Sequence, residues 1–121
     1  MDVEAPQRAM VYVCVDLVRS LTGIHRQAHR VATRLGYEFI GMARGSSLIV
    51  PEAIVEPIDT YRIELLIVPD LRHLRGCVPV EVVAHTAIYD LAERRTYERD
   101  GNHLLDTASG RPALADIDSE C

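Results

Sequence analysis

The sequence has no tryptophan, one phenylalanine and three cysteines in 121 residues. Cys14, Cys77 and Cys121 are odd in number and form no CxxC pair, which argues against a disulfide framework and against a zinc ribbon. Apolar runs such as Leu65 to Pro69 are far too short to span a bilayer. Met1 is followed by Asp2 and Glu4, so the basic start of a secretory signal is missing and a cytoplasmic location is expected. Neither a GxxxxGK(S/T) nor a GxGxxG phosphate loop occurs, and there is no GxSxG elbow to present a serine nucleophile. Internal repeats are absent too.

Positive charge is in short supply. Lysine and arginine number 13 against 18 acids, a net charge of -5. That balance speaks against a protein that coats nucleic acid. The basic residues are nonetheless gathered in groups: Arg26, Arg30 and Arg34; Arg72, His73 and Arg75; Arg94, Arg95 and Arg99. A local basic face remains open, whereas the last stretch is acidic through Asp106, Asp116, Asp118 and Glu120.

What is present is a folding pattern. Apolar residues at 48% and charged residues at 26% are globular composition, and the length suits one domain. Met10 to Val15 is a valine-rich run suited to a strand covered on both faces. Ile24, Ala28, Val31, Ala32 and Leu35 repeat at helical spacing, with Thr22 as a candidate cap and Gly36 placed for a left-handed terminus. Residues Tyr37 to Ala43 alternate as a second strand. Pro51 opens a short helix that Pro57 is expected to end. Arg62 to Val68 is the third strand, Pro79 to Ala84 a short helix and Ala87 to Leu91 the fourth strand, with Arg95 to Arg99 returning as an antiparallel edge.

Strands alternating with helices predict a three-layer α/β fold with a mostly parallel sheet of four to five strands in the flavodoxin-like order 2-1-3-4. Residues 1–9 read as a flexible start, 10–100 as the domain and 101–121 as a mobile acidic tail. Residues 116–121 of that tail could cover the basic helix. In such sheets ligands sit beyond the strand carboxyl ends where the order reverses, so two loops converge on one crevice. One offers Asp16, Arg19, Ser20 and Thr22; the other offers Asp70, Arg72, His73 and Arg75.

Several chemistries compete for that crevice. Asp16 and Asp70 could hold Mg²⁺ for work on a phosphate ester, although carboxylates after strands are common as caps. His25 and His29 have the i, i+4 spacing of a zinc pair but lack the acidic HExxH context, and histidines flanking a core stripe are the plainer reading. His73 could serve as an acid or base, with no partner at fixed spacing. Neither His85 nor His103 has a chemical context, and Ser20, Ser46 and Ser47 look like caps and turn formers. No metal and no cofactor is expected.

Three blocks taken in order resemble a known family. VYVCVD (11–16), IHRQAHRVATRLGYEFIG (24–41) and ELLIVPDLRHLRG (64–76) are similar to the N-terminal catalytic domain of the serine recombinases, the resolvase and invertase group. The resemblance runs over roughly residues 10–90 and implies a resolvase-like sheet order. In the family the first strand reads tyrosine, any residue, arginine, valine, serine, and the serine attacks the DNA phosphate. Here Tyr12 and Gln27 fall on family-like positions. Cys14 stands where the family has an arginine, and Asp16 where it has the nucleophile. Arg72 and His73 replace an aspartate–arginine pair, and Gly76 replaces the next arginine, with Arg75 adjacent.

Those replacements imply a dismantled site. A serine alkoxide needs guanidinium groups to offset charge on the phosphoryl oxygens, and an aspartate at the same strand tip repels phosphate. Tyr12, Cys14, Asp16, Gln27, Arg72, His73, Arg75 and Gly76 are therefore expected to be vestigial site positions. The leading expectation is a catalytically inactive interaction or regulatory module that self-associates or binds a protein partner. The alternatives are a DNA-binding accessory protein contacting phosphates through Arg26, Arg30 and Arg34, and the Mg²⁺ enzyme above.

Overall fold

A computed structural model of the chain describes residues 6–46 and 51–99, without the side chains of 51 and 52. The elements run β1 (Arg8–Cys14), α1 (Leu21–Arg34), β2 (Glu38–Gly45), α2 (Val55–Tyr61), β3 (Ile63–Val68), α3 (Val80–Val83), β4 (Ala87–Asp90) and β5 (Arg95–Tyr97). Short 3-10 turns occupy Val15–Leu17, Pro51–Ile54 and Leu71–Leu74. The sheet order is β2-β1-β3-β4-β5. β1 pairs in parallel with β2 and β3, β3 in parallel with β4, and β4 antiparallel with β5. The expected α/β class, the order 2-1-3-4 and the antiparallel edge are all present.

The apolar runs explain the two layers around the sheet. On one face of β1, Ala9 and Val11 pack with Ala28, Val31 and Ala32 of α1 and with Leu65 and Ile67 of β3. On the other face Met10 and Tyr12 join Ile54, Ile58, Leu74, Val82 and Val83. The alanines of α1 let that helix approach the sheet closely. Side chains such as Ile58, Leu66 and Ile88 are essentially fully buried, each stabilising the fold by roughly 1.5–3 kcal/mol. β1 from Ala9 onward and β3 from Leu65 onward are continuous hydrophobic runs because both of their faces are covered.

Local details depart from the sequence reading in two places. The residue before α1 is Ser20, not Thr22, and it makes no side-chain capping bond. Gly36 does take the left-handed conformation just beyond that helix. Pro57 does not end the second helix but lies in its first turn, where no intrahelical N–H is needed. α2 instead stops at Arg62, which adopts a left-handed conformation. Cys14 keeps a free, buried thiol.

β2 is an edge strand, paired on the β1 side alone among the described residues. Its register jumps between Ala9↔Phe39 and Met10↔Gly41, so Ile40 is an extra residue and Gly41 carries the positive φ of the bulge. At the opposite edge the buried Asp90 accepts the Glu93 backbone N–H at 3.0 Å and shapes the turn into β5. Residues 1–5, Ser47, His103, Cys121 and the acidic tail, which the sequence analysis singled out, lie outside the described residues. No helix among the described residues is long and apolar enough to cross a membrane.

Candidate functional site

The order reverses between β1 and β3, so the turns that follow them lie at the same end of the sheet. Asp16 sits in the turn Val15–Leu17, and Asp70, Arg72 and His73 belong to or flank the turn Leu71–Leu74. The two loops thus converge as the α/β pattern predicts.

His73 organises this crevice. It is 4% exposed, and its Nδ1 accepts a hydrogen bond from the backbone N–H of Cys14 at 2.8 Å. In the neutral ring the proton therefore sits on Nε2. Burial holds the His73 pKa below the ordinary value of 6.5; the Asp70 charge works against that shift and the Arg72 charge with it. His73 thus joins the end of β1 to the turn after β3 across 59 positions of sequence.

Asp70 and Arg72 are also engaged with each other. The Asp70 carboxylate accepts hydrogen bonds from the Arg72 backbone N–H at 2.8 Å, from Nε at 3.0 Å and from Nη2 at 2.9 Å. This closes the turn and, with the side-chain hydrogen bond as the main cause, lowers the Asp70 pKa. Arg75 is exposed and left-handed, and Gly76 follows with φ +86°.

Tyr12 is buried below the same end of β1. Burial raises its phenol pKa, the neighbouring Cys14 adds to the rise and Arg75 opposes it. The phenol lies so close to β2 that a Cβ on Gly45 would run into its oxygen. Gly45 is therefore fixed by close approach, a constraint visible only once β1 and β2 are paired.

Of the residues singled out from sequence, Tyr12, Cys14, His73 and Arg75 come together, and Asp16, Arg72 and Gly76 belong to the adjoining turns. Gln27 is exposed on α1. Arg26, Arg30 and Arg34 lie on the same helix. Arg34 reaches the Tyr89 hydroxyl at 3.5 Å and, with Arg26, His29, Arg30 and Thr33, lines a shallow groove along the helix.

The sequence reading missed a second surface. Leu21, Thr22, His25, Arg26 and His29 of α1 and Met42 and Arg44 of β2 line an open groove of about 530 Å³. His29 stacks on Phe39 with centroids 5.2 Å apart, and His25 meets the same ring edge-on at 5.1 Å. The i, i+4 spacing that suggested a zinc pair instead places two imidazoles around one phenyl ring. No group of three or more metal-ligating side chains converges among the described residues.

No protein-family model, no curated protein and no solved structure matches the chain. The resemblance to the serine recombinases stands on the three sequence blocks alone.

Proposed function

We propose that the chain is a resolvase-like domain without catalytic activity, acting as a protein-interaction or regulatory module. The observation that carries this reading is the commitment of the crevice groups to one another. A general base needs a lone pair facing the group it deprotonates. The Nδ1 lone pair of His73 is occupied by the Cys14 N–H. A phosphoryl clamp needs guanidinium donors directed at the ligand, and two donors of Arg72 are engaged by Asp70. Asp16, exposed at the strand tip, brings negative charge where a phosphodiester would have to approach.

The test restores the missing chemistry. The Cys14→Arg, Asp16→Ser double variant and the milder, exposed Asp16→Ser variant are incubated with supercoiled plasmid and denatured. No covalent protein–DNA adduct and no nicking are expected. An adduct from either variant means that the rest of a cleavage machinery is intact, and the reading fails.

A second reading, a DNA-binding accessory protein, is favoured by one observation: the groove along α1 is lined by Arg26, Arg30 and Arg34 and by no carboxylate. The net charge of -5 weighs against it. Fluorescence anisotropy on duplex DNA decides: affinity that falls steeply with salt and is lost in Arg30→Glu supports this reading, and no binding at low salt removes it.

A further inference from the structure

We propose that the groove between α1 and the edge strand β2 docks an extended acidic peptide segment of a partner protein, which adds alongside β2 and lays its carboxylates against His25, Arg26, His29 and Arg44. The proposal rests on the interaction-module reading and names the partner's chemistry.

Charge is the first argument. Two guanidinium groups and two imidazoles line the groove, and no carboxylate does, in a chain whose acids outnumber its bases. Arg26 and Arg44 make no ion pair or hydrogen bond among the described residues. Three arginines elsewhere do have a carboxylate partner: Arg72 on Asp70, Arg8 on Glu38 and Arg99 on Glu64. Like charges left together on a surface repel one another, and an anionic partner removes that repulsion.

The second argument is backbone. β2 is hydrogen-bonded to β1 on one side, and its outer edge is unpaired among the described residues. Such an edge accepts an added strand, where main-chain hydrogen bonds give affinity and alternate side chains give specificity. The bulge at Ile40–Gly41 protects the first half of the strand from indiscriminate pairing. Beyond it, Met42 through Gly45 continue in regular register with β1. Met42 and Arg44 both line the groove, so an added strand would set every second side chain against the cationic wall. Met42 and Leu21 supply apolar contact at its floor, and Phe39 holds both imidazoles in place.

The probe is a short fluorescein-labelled peptide alternating glutamate with valine, titrated into the full chain at low and physiological salt. A lysine–valine peptide and a single-stranded oligonucleotide are the other arms. We expect saturable binding of the glutamate peptide alone, weakened about tenfold or more by Arg26→Glu or Arg44→Glu. In the double charge-reversed variant the lysine peptide should bind instead. Bound peptide should slow amide exchange over Met42–Gly45. Glutamate-peptide binding unaffected by charge reversal, or unaccompanied by protection of β2, overturns the proposal. So does absence of peptide binding at low salt, and so does preferential binding of the oligonucleotide, which would make the groove a phosphate reader. Failure here with no DNA adduct from Asp16→Ser leaves the non-catalytic reading standing. An adduct with intact peptide binding removes that reading and keeps the groove.

Discussion

The strand-end crevice and the α1–β2 groove handle polar side chains in opposite ways. In the crevice the ionisable groups face one another: His73 accepts from the Cys14 backbone, and Asp70 both caps its turn and pairs with Arg72. In the groove two guanidinium groups stand without a counterion among the described residues. Polar groups that satisfy each other stabilise a fold but have little left to offer a ligand. Polar groups left open to one side stabilise nothing locally and remain available for recognition. On the reading proposed above, the position that α/β topology marks for a ligand serves as a structural joint, and the less conspicuous edge holds the available charge.

That contrast can be broken most directly at His73. His73→Ala removes a buried ring and leaves the Cys14 N–H without its acceptor, so unfolding in urea should show a loss of about 2–4 kcal/mol. A loss comparable to an exposed substitution would mean that the crevice is not a joint. Gly45→Ala drives a methyl group into the Tyr12 phenol and should cost about 1–3 kcal/mol. Combining it with Tyr12→Phe, which deletes the obstructing oxygen, should recover much of that loss.

Acid titration sharpens the comparison further. Because the folded-state His73 pKa lies below 6.5, the unfolded chain takes up the proton first as the pH falls. The stability linked to His73 is complete above 6.5, declines below it and stops declining once the folded-state value is passed. Asp70, whose pKa is also lowered, contributes stability above its ordinary 3.8 that is lost in more acidic solution. The His73 window opens at a higher pH than the Asp70 window, and His73→Gln, which keeps an acceptor without the titration, should remove the His73 contribution alone. The smallest effect belongs to the groove. Arg26→Glu and Arg44→Glu should each change stability by no more than about 0.5 kcal/mol, because neither side chain is paired, while both impair peptide binding.

Much of the fold is legible in the sequence. β3 declares itself as an apolar run bounded by Pro69, and α1 by its small apolar residues at helical spacing with Gly36 beyond them. Pro57 misleads because a proline in the first turn of a helix has the same local signature as one that ends it. Ser20 rather than Thr22 precedes α1 because the chain leaves the turn Val15–Leu17 earlier than the hydroxyl pattern suggests. The crevice is legible in outline, since the topology places the ends of β1 and β3 together. Its inner connections are not. The bond between His73 and Cys14 joins positions that no local pattern relates, and the lone spacing of His25 and His29 gives no hint of Phe39 between them.

The sequence by itself determined the alternation of strands and helices, the single domain and the three basic groups, because periodicity and composition act through neighbours a few residues apart. Only the tertiary structure decided which polar groups meet, which edge of the sheet stays open and which glycine must remain a glycine. Those outcomes depend on register between strands far apart in the chain, where one hydrogen bond or one ångström of approach determines whether a side chain is held in the fold or left facing a partner.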